Sequence, residues 1–502
     1  MENHLLSKST FQRGIQCVKS LYLYKNFIHL RDSISTEQKA VFNRGNYVGV
    51  YAHRLFPGGV DVSKVISGGI KKNNRYQAMV EKTKELLDAG EEILYEAAFQ
   101  QEGVLVIVDI LAKKEGRWYA YEVKSSTRIT QTYITDASLQ YWVIKKTDLL
   151  LADFSLVIIN NQYIRRGDVD VHGLFIIKSI VTEAERNQDQ ITEHIKNLKR
   201  LLIEGDMPKT EIGERCFSPY NCDFMGLCWK NVPKNSIFEL SGVGKADLFE
   251  LYKAGVKTIQ EIPDENTLNK NVNIHIKAHK EAKVLIDVEG IDKFIENIKY
   301  PLYFIDFEIF MPAIPIYENT KPYQHIPFQY SIHYKASKDS KPEHLYFLAE
   351  AGCDPRKRFL EQFLKDTEKP GTILVYDTLM EASVLHALKK ELADYEADIL
   401  SRINRFVDLM KPFQDRLYYH PAMNNSCSIK NVLHALVPEL TYSDLNIQSG
   451  SMAMAAFEQL QAETDILKII ETRDNLLKYC ELDTLAMVKV FSILEHNITS
   501  EA

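Results

Sequence analysis

At 502 residues the chain is long enough for two or three domains, each with its own core. Its composition, 45% hydrophobic and 26% charged, is that of an ordinary soluble globular protein, and a net charge of −7 excludes a uniformly basic nucleic-acid wrapper while leaving room for a local basic groove. Seven cysteines are too sparse for a disulfide scaffold, the opening MENHLLSKST lacks a secretory apolar core, and no run approaches about 18 apolar residues, so a cytoplasmic protein with no membrane partner is expected.

Residues 9–26, STFQRGIQCVKSLYLYKN, read as one capped helix that starts at Ser9 or Thr10 and carries Cys17 in its middle. Gly45-x3-Gly49-x3-His53 has helical spacing and sets both glycines and His53 on one stripe, where His53 fits a surface histidine or a metal ligand. A helix over Tyr76–Ala89 stops at Gly90, and a strand over Ile93–Gln100 bears Glu96. Two further strands follow in GVLVIVDILAKKEGRWYAYEVK, residues 103–124. A two-residue turn at Glu115-Gly116 sets Asp109 across from Glu122, with Lys124 on the same sheet face. Two carboxylates and a lysine on one face of an apolar hairpin are costly to bury, and a divalent cation, Mg²⁺ or Mn²⁺, offsets that cost. The competing reading is a surface hairpin with a chance ion pair.

Asp136–Tyr141 opens a helix that carries Gln140 and Tyr141 toward a buried strand at 149–160, and an amphipathic helix over Thr182–Glu204 with Ile191, Ile195, Leu198 and Leu202 on one face stops at Gly205. Cys216, Cys222 and Cys228 then fall at C-x5-C-x5-C, a spacing able to wrap one inorganic centre, with Cys17 as the fourth thiolate; zinc and an iron–sulfur cluster fit equally. Cys353, Cys427 and Cys480 read as structural. Residues 231–296 read as a small separate unit in which Ile237–Ile259 matches a helix-hairpin-helix pattern: Gly242 and Gly244 make the hairpin, and Lys245 opens a helix whose N-terminus can meet a phosphate. A helical linker with a glycine turn explains the same residues.

From Tyr300 strands and helices alternate. Asp306 and Glu308 share one face of the strand LYFIDFEIF, strands over 328–334 and 344–348 continue a meander, and a strand-to-helix segment carries Asp377 and Glu381. Phe406–Leu409 reads as a short acidic turn, and Tyr479 and Asp483 sit four apart on the last helix.

With His53, Glu96, Asp109, Glu122-Val123-Lys124 and Gln140-Tyr141 enclosed by Cys17 and the Cys216–Cys228 cluster, residues 1–230 resemble a RecB-like nuclease of the PD-(D/E)XK superfamily, in the iron–sulfur branch that includes the CRISPR-associated adaptation nuclease and the AddB nuclease domain. Residues 297–502 resemble a DnaQ-like exonuclease of the ribonuclease H fold. The resemblance implies an α/β multidomain chain: a restriction-endonuclease-like domain at 1–230, a helix-hairpin-helix-like region at 231–296 and a ribonuclease H-like domain at 297–502. It also implies a [4Fe-4S] cluster on Cys17, Cys216, Cys222 and Cys228. One Mg²⁺ or Mn²⁺ would be held by His53, Asp109, Glu122 and the Val123 carbonyl, with Lys124 positioning water and Glu96, Gln140 and Tyr141 in support. Two more ions would lie on Asp306, Glu308, Glu381 and Asp483, with Tyr479 orienting water. The cluster spacing departs from the more usual C-x2-C-x5-C, Val108 stands where a glycine often precedes the aspartate, and Asp377-Thr-Leu-Met-Glu381 replaces N-x-x-F-D. The expected function is metal-dependent hydrolysis of DNA, as single strands or ends, in repair or defence against foreign DNA, with RNA left open as a substrate. The alternative is a nucleic-acid-binding scaffold in which the DnaQ-like site, or both sites, are inactive.

Overall fold

The computed structural model describes residues 5–66, 74–240, 242–263 and 269–499; Ser241, beside the expected glycine hairpin, lies outside them. The chain forms a mixed α/β structure of two compact units. Unit 1 comprises Met1–Asn231 and Pro312–Tyr323, and unit 2 comprises Val232–Met311 and Gln324–Ala502.

In unit 1 a central sheet has the order β2 (Val60–Asp61), β3 (Ile93–Gln101), β4 (Val104–Lys114), β5 (Arg117–Lys124), β6 (Leu151–Ile159) and β7 (Phe175–Ser179), with β1 (Leu6–Ser7) parallel to β4. Strands β3, β4 and β5 are antiparallel and β6 runs parallel to β5. The β4–β5 turn falls at Glu115-Gly116, and both residues take positive φ (49° and 76°), the twist-matched conformation of a two-residue hairpin loop. The ladder follows the expected offset from Lys114↔Arg117 to Ile110↔Tyr121 and stops there, one pair short of Asp109 and Glu122.

The stop has a cause in the neighbouring pair of strands. Glu96 takes φ 56°, and around it the alternation of both strands inverts. Leu94, Ala97, Phe99, Val106, Val108 and Leu111 share one core, whereas Tyr95, Ile110 and Ala112 belong to the other. The face switch on β4 therefore falls at Asp109, which is freed from strict alternation. The first core is completed by α1 (Lys8–Gln16) and the helices Gln131–Ile144 and Gln188–Glu204; the second by α3 (Thr36–Ala52), together with Ala313 and Ile314.

Three sequence expectations change in detail. The helix expected over 9–26 breaks at Cys17, which is extended (φ −159°, ψ 113°) between α1 and α2 (Val18–Asn26), so its side chain is not committed to a helix face. The helix over 182–204 is two helices, Val181–Arg186 and Gln188–Glu204, joined at Asn187 and ended by left-handed Gly205. Phe406–Asp408 is not a turn but a strand, β13, because parallel pairing to β12 (Thr372–Val375) satisfies its backbone.

The main sheet of unit 2 has the order β11 (Glu343–Leu348), β10 (Ile326–Lys335), β9 (Leu302–Phe310), β12, β13, and β8 (Leu285–Ile286) pairs with β14 (Tyr418–Tyr419). Strands β9, β10 and β11 are antiparallel neighbours, whereas β12 and β13 run parallel to β9. Both faces of β9 are covered, which is why its sequence reads as a nearly continuous apolar run. Tyr303, Ile305 and Phe307 pack on Phe359 and Phe363, while Phe304 on the other face meets Phe491 of the long helix Ile466–Thr499. Asp306 and Glu308 share that second face. The stretch after Val232 adds a small core of its own, built from Ile237, Leu240, Leu248, Ile259, Val272 and Ile276.

Candidate functional site

Three groups of side chains carry chemistry. The first lies on β5 and the helices over it. Glu122 is 1% exposed, and its Oε1 accepts from both Lys8 Nζ and Lys124 Nζ at 2.6 Å while its Oε2 accepts from Gln140 Nε2 at 2.8 Å. Lys124 Nζ also donates to Asp136 Oδ2 at 2.6 Å. Asp109, released from the ladder, uses Oδ2 to accept the Val123 amide at 2.6 Å. Burial would raise the Glu122 carboxyl, but Lys124 and Lys8 hold it well below the usual carboxylate range. Asp109 goes the other way, pushed up by burial and by the Glu122 charge. Glu96 is raised by burial, then by Asp61 and Glu122.

Of the residues expected here, Glu96, Asp109, Glu122, Val123, Lys124 and Gln140 come together. His53 stacks flat on Tyr95 at 3.9 Å, and burial lowers its pKa against an opposing pull from Asp61. Tyr141 is elsewhere: its hydroxyl lies 2.9 Å from Glu185 Oε1 and its ring belongs to the first core. Sequence reasoning missed Lys8 and Asp61, and it gave Asp136 no role. Asp136 was the one within reach, since it precedes Gln140 by one helical turn.

The second group is the cysteines. Cys17, Cys216, Cys222 and Cys228 line one small cavity together with Ser20 and Phe224. Hydrogen bonds shape the loop. Cys222 N–H donates to Cys216 O at 2.8 Å, Cys228 N–H to Phe224 O at 3.0 Å, and Arg13 and Arg31 both grip the Asp223 carboxylate. Gly226 brings its amide to Asp32 Oδ2 at 3.1 Å, where a Cβ would lie 2.5 Å from Oδ1. The loop also reaches toward the first group. Gln16 Nε2 holds the Tyr220 carbonyl at 2.6 Å, and the Tyr220 phenol, raised by burial, feels the charges of Lys124, Asp136 and Lys8.

The third group is in unit 2. Ligand atoms of Asp306, Glu308 and Cys480 lie within 4.8 Å of one another, an arrangement able to hold a metal ion. Asp306 and Glu308 are pushed up by burial and by Asp483, and both feel Glu381. Glu381 is itself raised to about 8, chiefly by burial, and its Oε2 is buried without a hydrogen-bond partner. Asp483 Oδ1 accepts from the Tyr442 hydroxyl at 2.6 Å, and Tyr479 is buried beside it. Asp377 caps the helix Thr378–Glu391 at φ 70°, and its amide donates to Asp408 Oδ1 at 3.1 Å. Cys480, expected to be merely structural, is thus part of the acidic group. Gly242, Gly244 and Lys245 are exposed at the start of the helix Lys245–Lys253, with Gly242 at φ 80°.

A family model described as "Domain of unknown function (DUF2779)" matches residues 303–428. The matched stretch contains Asp306, Glu308 and Glu381 and ends before Tyr479 and Asp483. No curated protein matches the chain. Among the described residues, no helix is long and apolar enough to cross a membrane.

Proposed function

We propose that this chain is a divalent-metal-dependent nuclease acting on DNA, on single strands or ends, with a RecB-like site of PD-(D/E)XK type in unit 1 and a DnaQ-like site in unit 2. The observation that carries this reading is the convergence of Asp109, Glu122, Lys124 and Gln140 at the point where the sheet breaks alternation. Strained backbone such as that of Glu96 persists where surrounding structure over-determines it, and it clusters at active sites. The donor sets fit metals: an Asp109 carboxyl pushed up by burial and by the neighbouring Glu122 charge in unit 1, an orphaned buried Glu381 oxygen in unit 2, and four thiols on one cavity.

A Mg²⁺ or Mn²⁺ ion supplies charge for the phosphodiester and acidifies a bound water. The protein's part is positioning. Asp109, Glu122 and the Val123 carbonyl would hold the ion, with His53 at the margin. The Val123 amide fixes Asp109, Gln140 fixes the second oxygen of Glu122, and Lys124, anchored by Asp136, orients the attacking water. In unit 2 Asp306, Glu308, Glu381 and Asp483 would hold metal, Tyr442 aligns Asp483, and Tyr479 orients water. The antiparallel-then-parallel order of β11-β10-β9-β12-β13 supports the ribonuclease H reading. Cys17, Cys216, Cys222 and Cys228 would hold a [4Fe-4S] cluster that closes unit 1. The exposed Gly242-to-Lys245 turn offers a sequence-independent phosphate contact.

The test is cleavage of end-labelled single- and double-stranded DNA and RNA with Mg²⁺ and Mn²⁺ by wild type, Lys124→Ala and Asp306→Ala. Loss of activity in one or both variants assigns the site. Tight binding of DNA without cleavage by the wild type under every condition would replace the nuclease with a binding scaffold.

A further inference from the structure

The third group contains a thiol where an all-oxygen metal site has no use for one. The Cys480 thiol donates to Asp306 Oδ2 across 3.7 Å, and Glu308 offers an oxygen within the same 4.8 Å sphere. Two ligands sharing a tetrahedral ion, with a metal–sulfur bond of about 2.3 Å and a metal–oxygen bond of about 2.0 Å, stand roughly 3.5 Å apart. The observed separation matches that spacing. A second observation points to the same place: Glu381, 3% exposed, sits against the backbone of Phe307, between Asp306 and Glu308, and has one carboxylate oxygen buried with no protein partner. Cys480 is fully buried on the long helix, three residues before Asp483, so it is held on the acidic side.

Softness decides which ion this donor set prefers. Mg²⁺ demands oxygen ligands and near-octahedral geometry, whereas a thiolate favours Zn²⁺ and its soft relatives. We propose that Cys480 is a metal ligand, and that Asp306, Glu308 and Cys480 together bind a thiophilic divalent cation of the Zn²⁺ class in preference to Mg²⁺. On binding, the S–H bond breaks, its electron pair forms the metal–sulfur bond and the proton leaves to solvent; no oxidation state changes. The inference deepens the nuclease reading of unit 2, resting on it only in placing a metal at Asp306 and Glu308, and it makes Zn²⁺ a competitor of Mg²⁺ at that position.

The experiment is ¹¹³Cd²⁺ NMR on the full chain, with Zn²⁺ and Mg²⁺ affinities by calorimetry for wild type, Cys480→Ser and Asp306→Asn. The expected wild-type resonance of this site lies downfield of the all-oxygen range. It should return to that range in Cys480→Ser, with Zn²⁺ binding weakened at least about tenfold and Mg²⁺ binding unchanged, since even indirect partners of a metal ligand contribute about 10–100-fold. Any signal from the four-cysteine cavity is separate and does not move. Asp306→Asn should weaken both ions. A wild-type resonance within the all-oxygen range, or equal Zn²⁺ affinity in wild type and Cys480→Ser, overturns the proposal; the first result needs no variant to fold. A sulfur-shifted resonance in a chain that cuts no nucleic acid would uphold the metal site and remove the nuclease reading instead.

Discussion

Lys8 Nζ donates to Glu122 Oε1 at 2.6 Å, across 114 residues of chain. Lys124 reaches the same oxygen at the same distance, so two ammonium groups neutralise one buried carboxylate. The two lysines differ in anchoring. Lys124 is gripped by Asp136 at 2.6 Å and its side chain is 16% exposed; Lys8 lies 3.7 Å from Asp136 and is 32% exposed. Lys124 is therefore the fixed member of the pair and Lys8 the one able to yield its place to an incoming cation or phosphate.

That difference separates the two substitutions. Lys124→Ala should lower cleavage by about 10²-fold or more, the range for a positioned group acting on the nucleophile. Lys8→Met should keep much of the activity and cost about 1–2 kcal/mol of unit 1 stability, less than a fully buried pair because Lys8 is partly solvated. Initial rates and urea midpoints check the two claims. Equal rate losses in both variants would contradict the assignment of separate roles.

Why Lys8 was invisible in the sequence follows from its route. It reaches Glu122 because the two residues of β1 pair in parallel with β4, and no local pattern announces a strand that short. The β4–β5 hairpin was legible because Glu115-Gly116 is a turn signal flanked by alternating strands. Its last pair was not, since the inversion at Glu96 and Asp109 depends on a neighbouring strand. Cys216, Cys222 and Cys228 were legible by spacing, whereas the break that takes Cys17 out of the helix has no Gly or Pro to mark it in the sequence. Cys480 looked isolated because its neighbours, Asp306 and Glu308, are distant in sequence. Tyr141 followed Gln140 in the motif, yet adjacent helical positions point about 100° apart, and the structure gives its hydroxyl to Glu185 instead.

The cysteine cavity should behave as a clasp. Cys17→Ser should lower iron and sulfide content as much as Cys222→Ser does, whereas Cys353→Ser, at an exposed position, should leave both unchanged. Losing a crosslink that spans this much chain should cost unit 1 about 4 kcal/mol or more. Limited proteolysis of chelator-treated protein should open sites in unit 1 before any in unit 2. Identical fragment patterns with and without bound iron would count against the clasp.

Two helix glycines should respond to alanine with opposite signs. At Gly49 in α3 a Cβ meets nothing within 4 Å, so Gly49→Ala should stabilise by about 1 kcal/mol through helix propensity. At Gly14 in α1 it would sit 2.7 Å from both Leu198 methyls and 3.0 Å from Leu21 Cδ2, so Gly14→Ala should destabilise by about 1–3 kcal/mol. Thermal midpoints of the two variants decide the matter, and a shared sign would refute the packing of α1 on the helix Gln188–Glu204.

Unit 2 should lose stability in mild acid because of a histidine remote from the acidic group. His275 is fully buried; its Nδ1 is engaged by the Tyr419 hydroxyl, and its Nε2 has no hydrogen-bond partner. Burial, followed by His279 and Arg416, lowers its pKa from 6.5 to about 3. The unfolded chain binds a proton at this position below about 6.5 and the folded one does not until about 3, so stability is full above that window and falls as pH drops through it. The limiting slope from one such group is about 1.4 kcal/mol per pH unit. Urea unfolding of wild type and His275→Phe between pH 7.5 and pH 5 isolates the contribution: the variant starts less stable, having lost the Tyr419 contact, but its midpoint should fall less steeply. Parallel pH profiles for the two proteins would show that His275 takes up its proton as readily in the folded chain as in the unfolded one.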